Sequence, residues 1–260
     1  YMQEDYESRG STWGHDVPTT KWLIIVTVIV FFLQTMLSYP PAAAFVKGGS
    51  GSYVEDWFNL DSTKVLHGQV WRLVTFVFCH ERMNPFGLAF NMIAVWFLGS
   101  TLERMYGYRE LLWFYLGSAI FCGLIFVAFG LKLFLPKPLI GAGPCVMALL
   151  TLYATYYPTR EILVFWVIPV QVRVLLGIYV AIEVLTIMQA FKGDVSWLTV
   201  AYLSEIWGVA YGYAYRRSDW RFAGLLEVFD VRRMQQMVRR ATTSRKLKVF
   251  KPELTNDLDE

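Results

Sequence analysis

The run WLIIVTVIVFFLQTMLSY, from Trp22 to Tyr39, contains no charged side chain. It is long enough to cross the hydrocarbon core of a bilayer as a helix. A secretory signal peptide is the alternative interpretation, but no small-residue cleavage site stands in a good context, and five further apolar blocks follow. We therefore interpret this run as a retained first transmembrane helix.

The whole chain has a composition that is too apolar for an ordinary soluble domain. Hydrophobic residues make up 55% of its 260 residues, and the mean hydropathy is +0.39. We predict an all-α integral membrane protein with six spans, each bounded by charge, proline or glycine: Lys21–Tyr39, Pro85–Met105, Glu110–Leu133, Leu139–Tyr157, Ile162–Phe191 and Ser196–Tyr215. The fifth span is longer than necessary, so Gln171 and Arg173 mark a tilted or interrupted part of it.

Basic residues are concentrated after the last span, between Arg216 and Lys251. The positive-inside rule places this tail in the cytoplasm, and six spans place the N-terminus on the same side. Apolar residues recur at helical spacing among the arginines, which predicts an amphipathic helix on anionic lipid, with surface contacts from Arg232, Arg233, Arg239 and Arg240. Nucleic-acid binding is not expected, because no recognised motif accompanies the charge.

These features divide the chain into a cytoplasmic N-terminal segment (1–20), a membrane domain (21–217) and a basic amphipathic tail (218–260). The long loop between the first two spans holds large apolar residues such as Trp57, Leu66 and Trp71. That is too much apolar surface to leave in water, so we expect a loop partly embedded in the membrane. An unadorned six-span core is typical of a bacterial inner-membrane protein.

The three cysteines, Cys79, Cys122 and Cys145, are an odd number without CxxC spacing. Neither a disulfide framework nor a zinc site is indicated, and we predict no metal and no cofactor. A channel or transporter is not favoured, because paired broken helices and inverted repeats are not evident.

The stretch from Phe58 to Phe76, with Trp71-Arg72 near its end, resembles the first outer loop of the rhomboid family of intramembrane serine proteases. Further resemblances follow in the family's order: Phe90-Asn91-Met92, Leu102-Glu103-Arg104 ending at Gly107, Ile168-Pro169-Val170, and Gly208 with Gly212. The resemblance implies a six-helix rhomboid-like bundle with a partly embedded outer loop between helices 1 and 2.

Active rhomboids use a serine in a Gly-x-Ser-Gly motif and a histidine in the sixth helix. Here Gly141-Ala142 fits the motif, Gly143 stands at the serine position and Pro144 replaces the second glycine. Glu205 or Ser204 stands at the histidine position. Of the His-x-x-x-Asn pair in the second helix, Asn91 is kept and Gly87 replaces the histidine. The resemblance therefore implies a catalytically inactive member, a pseudoprotease, since a Ser–His pair is needed to activate the hydroxyl.

The remaining candidate residues have alternative interpretations. A carboxyl group in a membrane helix is costly, so Glu205 either contacts Asn91 or a partner's cation, or makes a structural hydrogen bond, and Glu183 poses the same question. Trp71 and Arg72 either recognise a client or hold the outer loop together, and the second interpretation is favoured.

Four further residues have simpler interpretations. Gly208 and Gly212 are expected to pack the sixth helix against the fourth rather than to form an oligomer interface. His80 is expected to be a surface or capping residue. Cys145 lies two residues beyond the serine position, about 200° around a helix, and should face elsewhere.

The function predicted from these residues is non-proteolytic binding of transmembrane segments of partner proteins, as an accessory or scaffold subunit or a chaperone of a membrane complex. The candidate client-binding residues are Glu205, Asn91, Trp71 and Arg72. The alternative is an intramembrane peptidase that uses Cys145 or a water held by Glu205. A water mechanism needs a second acid or a metal, and the sequence places neither at the site.

Overall fold

The computed structural model of the chain describes residues 17–39, 51–133, 138–164, 168–191 and 197–218. All of these belong to one compact unit, and the residues after 218 lie outside the described ones. The predicted membrane-surface arginines, Arg232, Arg233, Arg239 and Arg240, lie outside the described residues as well.

Six long helices account for most of the described residues, in agreement with the predicted helical class. They are α1 (Pro18–Met36), α5 (Pro85–Tyr106), α6 (Tyr108–Leu133), α7 (Gly143–Tyr156), α8 (Val172–Phe191) and α9 (Trp197–Ser218). Among the described residues, α1, α5 and α6 are long and apolar enough to cross a membrane, and α7 is apolar but shorter. The count of six membrane spans remains a prediction.

The predicted fifth span, Ile162–Phe191, is wrong in its first part. Glu161–Val164 (β1) and Ile168–Gln171 (β2) pair as an antiparallel hairpin, and the helix begins only at Val172. Pro169 explains the difference, because proline lacks the N–H that a helix interior requires. The suspected interruption near Gln171 is therefore the end of a strand.

Three short helices give the loop between α1 and α5 a definite structure: α2 (Tyr53–Phe58), α3 (Ser62–Leu66) and α4 (Arg72–Thr75). Leu60 and Phe76 are fully buried, with Leu60 lying against Gly123 of α6, whereas Trp57 and Leu66 remain more than half exposed. A loop that packs on the helices and keeps exposed apolar residues is consistent with the predicted position at the membrane interface.

The N-terminal turn of α1 is held by a side chain from α5. Glu103 is buried, and its carboxylate accepts hydrogen bonds from the backbone N–H groups of Thr19 and Thr20, each at 2.8 Å, and from the Thr20 hydroxyl at 2.6 Å. The first N–H groups of a helix have no partner within the helix, so Glu103 provides the cap that Val17, at the N-cap, lacks.

Helix α7 lies at the centre of the bundle, and ten of its 14 residues are buried. Helices α5, α6, α8 and α9 each pack against it, α9 most extensively. The N-terminal end of α7 is therefore surrounded by side chains from several helices, and it is also where the sequence resemblance places the vestigial site.

Candidate functional site

The segment leading into α7 is fixed by the outer loop. Leu139 and Leu60 exchange two backbone hydrogen bonds of 2.9 Å, and the N–H of Gly141 donates to the Phe76 carbonyl at 3.1 Å. Gly141 has a φ of +117°, a conformation that favours glycine. Pro144 in the first helical turn costs no hydrogen bond, because N–H groups there have no helical partner.

The side chain of Glu205 occupies the space beside Gly143. A β-carbon added to Gly143 would lie 2.8 Å from the carboxyl carbon and 3.3 Å from Cγ of Glu205, and would overlap its Oε1. Real β-carbons do not show the contacts with Oε1 and the carboxyl carbon, so a side chain at position 143 would push the end of the Glu205 side chain aside. Glu205 therefore fills the volume that any side chain at position 143 would require. Ser204 and Glu205 were both proposed for the histidine position. Of the two, Glu205 is the residue whose side chain lies against Gly143.

The glycines of α9 set the position of Glu205. A β-carbon on Gly208 would overlap the Pro144 carbonyl oxygen, and one on Gly212 would lie 3.0 Å from Cβ of Thr151. The two helix backbones thus approach each other closely, as predicted for these glycines. Because Glu205 precedes Gly208 by three residues, almost one helical turn, its side chain reaches the start of α7.

A second acid accompanies Glu205, which the sequence analysis did not anticipate. The carboxyl groups of Glu183 on α8 and Glu205 lie within hydrogen-bonding reach of each other. Glu183 is only 4% exposed, and no donor among the described residues reaches its Oε2. Residues 22 positions apart on different helices carry no local pattern, so only the packing of α8 on α9 reveals the pair.

Cys145 is turned away from this pair. Its sulfur donates a 3.6 Å hydrogen bond to the backbone carbonyl of Tyr115 on α6, and the side chain is fully buried. This agrees with the direction predicted from its position two residues beyond Gly143.

Asn91 contacts His80, and the prediction of a surface or capping role for His80 is wrong. His80 is 4% exposed, and its Nε2 lies 3.3 Å from Nδ2 of Asn91. The side chain of Gln34 on α1 explains the burial, because it hydrogen-bonds both the N–H and the carbonyl of His80 at 3.2 Å. The single amide in the apolar run of α1 was the only signal for this contact. Burial lowers the pKa of His80 to about 4.

Gly87 takes part in the N-terminal cap of α5. Its N–H donates to the side chain of Asn84, the N-cap of α5, at 3.0 Å. The position that holds a histidine in active rhomboids thus forms part of a helix cap.

Arg72 lies inside the outer loop and is 2% exposed. Its guanidinium donates to the carbonyls of Asn59 and Asp56 and to the side chains of Asn59 and Gln69, at distances of 2.6–2.7 Å. Trp71 remains 42% exposed, and its indole N–H donates to the Trp57 carbonyl at 3.3 Å. Arg72 therefore joins the helices of the loop, and Trp71 keeps a free face.

The described residues contain no group of three or more His, Cys, Asp or Glu side chains that could hold a metal ion. The chemistry that the start of α7 offers is therefore that of two neighbouring carboxyl groups, Glu183 and Glu205.

The comparisons with known proteins agree with this architecture. The family model described as Rhomboid domain matches residues 67–222, more than half of the chain. A curated relative, Rhomboid protease GluP from Bacillus subtilis (strain 168), is 27% identical over 122 residues. The aligned stretch covers 46% of this chain and 22% of that relative.

Proposed function

This chain belongs to the rhomboid family, and we propose that it is a non-proteolytic member that binds transmembrane segments of partner proteins. In this role it would serve as an accessory or scaffold subunit, or as a chaperone, of a membrane complex. The observation that carries the proposal is the position of Glu205, whose carboxyl group fills the space beside Gly143.

Serine-protease chemistry requires a hydroxyl and a base that takes its proton. Gly143 supplies no nucleophile, and the three histidines, His15, His67 and His80, all precede α5. Glu205 also occupies the volume from which a side chain at position 143 would attack a substrate carbonyl. The missing nucleophile and the missing histidine both argue against cleavage by the family's mechanism.

The exposed faces of two helices offer a surface for a partner segment. Each face consists of apolar residues that recur at helical spacing. On α5 these are 43–75% exposed: Phe86, Phe90, Ile93 and Phe97. On α8 they are 45–58% exposed: Val174, Ile178, Ile182 and Leu185. Both helices pack against α7, at whose start the pair of acids lies. A transmembrane helix docking between or along these faces would meet apolar side chains of the kind that pack in a bilayer.

The paired acids favour one alternative, an intramembrane peptidase that hydrolyses peptides with a water molecule. Two carboxyl groups that share one proton perform this reaction in aspartic proteases, and Glu183 supplies the second acid that the sequence did not place at the site. The Cys145 alternative has less support, because its sulfur faces Tyr115.

Affinity purification from native membranes in mild detergent tests the proposal, combined with an assay on a model transmembrane substrate. We expect a membrane protein to co-purify intact and in stoichiometric amount with the native chain, and the substrate to remain uncleaved. A Gly143→Ser, Glu205→His variant assayed in parallel shows whether the scaffold can carry a restored Ser–His pair.

Cleavage by the native chain would contradict the proposal. If Glu205→Gln or Glu183→Gln then abolished that cleavage, the two-carboxyl peptidase would replace it. If only Cys145→Ala abolished it, the thiol mechanism would stand instead.

A further inference from the structure

We propose that Glu183 and Glu205 select partner segments that carry a lysine or arginine within the membrane. The inference rests on the proposed function, since it names the class of transmembrane segment that the same site would bind. It follows from the burial of the two acids, from the missing donor at Glu183 and from the position of Glu205 beside Gly143.

The first step concerns hydrogen-bond donors. Two ionised carboxylates can only accept hydrogen bonds, so a contact between them needs a proton or a cation from elsewhere. Glu183 is only 4% exposed, and its Oε2 has no donor among the described residues. A buried acceptor without a donor is costly, and a bound ammonium or guanidinium group would remove that cost.

The second step concerns basic residues of the chain itself. The salt bridges among the described residues join Lys64 with Asp61 and Arg82 with Glu55, both in the outer loop. The titratable groups that interact electrostatically with Glu205 include Tyr179 on α8 and Cys122 on α6, neither of which is a cation. Charged side chains within a membrane pair with opposite charges, so a basic side chain from a partner would supply the complement that no salt bridge among the described residues provides.

The third step concerns access. Glu205 is partly exposed, whereas Glu183 is only 4% exposed. Because position 143 is glycine, it carries no side chain against the Glu205 carboxyl group. A long lysine or arginine side chain from a docked helix would therefore reach Glu205 first and then share the oxygens of Glu183.

A basic side chain of a partner protein fits the two carboxyl groups better than a free metal ion does. Two carboxyl groups provide fewer ligands than Ca²⁺ or Mg²⁺ normally takes, and the described residues add no third His, Cys, Asp or Glu. A lysine brings three N–H donors and arrives on a helix whose apolar face can pack against α5 or α8.

The test uses the full chain in phosphatidylcholine vesicles and three labelled transmembrane peptides. Each has a Leu/Ala host flanked by tryptophans, with a central residue that is lysine, leucine or aspartate. Binding is measured by Förster transfer between peptide and protein. We expect the lysine peptide to bind about tenfold more tightly than the leucine peptide, a difference of about 1.4 kcal/mol, and the aspartate peptide to bind least tightly.

The same measurements on Glu205→Gln and Glu183→Gln should reduce the preference for lysine to about twofold or less, because the amide keeps the shape and removes the charge. Glu161→Gln, at an exposed acid of the β-hairpin, is the matched control and should keep the full preference. The comparison of peptides on the unmutated chain does not depend on any variant folding correctly.

Equal binding of the lysine and leucine peptides would overturn the inference and leave the proposed function standing. So would a lysine preference that both glutamine variants retain. Failure of every peptide to bind would contradict both the inference and the proposed function.

Discussion

The carboxyl carbon of Glu205 on α9 lies 2.8 Å from the position that a β-carbon on Gly143 would take. The two residues belong to different helices, yet each determines what the other can be. Gly143 leaves room for the carboxyl group, and any side chain at position 143 would have to displace that group. A serine restored here would therefore move Glu205 from the position it takes in this structure.

This relationship predicts that Gly143→Ala lowers the free energy of unfolding by about 1 kcal/mol, because the added methyl group pushes the flexible end of the Glu205 side chain out of its place beside α7. In a Glu205→Ala background the same substitution should cost less than about 0.5 kcal/mol, and thermal unfolding of the four proteins in micelles completes the cycle. Gly177→Ala is the matched control, because a β-carbon there meets nothing within 4 Å. An equal cost of Gly143→Ala in both backgrounds would refute the overlap.

A second prediction concerns the close approach of α9 to α7. Gly208→Ala places a methyl group against the backbone carbonyl of Pro144, which cannot rotate away as a side chain can. We expect a loss of about 3 kcal/mol, measured by the same unfolding assay, and no rescue by Glu205→Ala. A variant as stable as the native chain would show that the two backbones are further apart than the structure indicates.

A third prediction concerns the cap on α1. Glu103→Gln replaces one accepting oxygen by an NH₂ group that faces backbone N–H groups, so the free energy of unfolding should fall by about 2 kcal/mol. Arg104→Gln, at the neighbouring exposed position, should change it by less than about 0.5 kcal/mol. Amide hydrogen exchange at Thr19 and Thr20 should accelerate in the first variant alone. Unchanged exchange there would contradict the assigned cap.

A fourth prediction concerns pH. The pKa of His80 is lowered by burial to about 4, against 6.5 for an exposed imidazole. Between these values the unfolded chain binds a proton that the folded chain does not, so stability falls as pH decreases from 6.5 to 4 and levels off below. The shift corresponds to about 3 kcal/mol.

Denaturation of the native chain and of His80→Gln across this pH range gives the measurement. The side chains that contact His80, Asn91 and Gln34, are neutral amides, and Glu55, which accepts a hydrogen bond from Gln34, is present in both proteins. The variant should lose that part of the pH dependence. Identical pH profiles for the two proteins would place the titration elsewhere.

The helices could be predicted from the sequence because a long apolar run bounded by charge or proline can form few structures other than a helix in a membrane. The approach of α9 to α7 also followed, since Gly208 and Gly212 recur at the spacing that brings small residues onto one helix face. The hairpin of Glu161–Val164 and Ile168–Gln171 did not, because these short apolar strands run on into the apolar helix α8, and the signal against a helix was Pro169 alone.

Contacts between polar residues that lie far apart in the chain could not be predicted from the sequence either. His80 is drawn inward by Gln34, and Glu183 meets Glu205, although nothing in the spacing of these residues marks them as neighbours. A single polar side chain in an apolar run indicates that a partner exists, but only the packing of helices identifies which residue it is.

The cap on α1 has a consequence for the order in which the protein is made. Thr20 is translated 83 residues before Glu103, the side chain that accepts its N–H. Until α5 has been made, water is the partner available to the N–H groups in the first turn of α1, and Glu103 replaces that water when α5 packs against α1. The first helix thus receives its final cap from a segment that is translated much later.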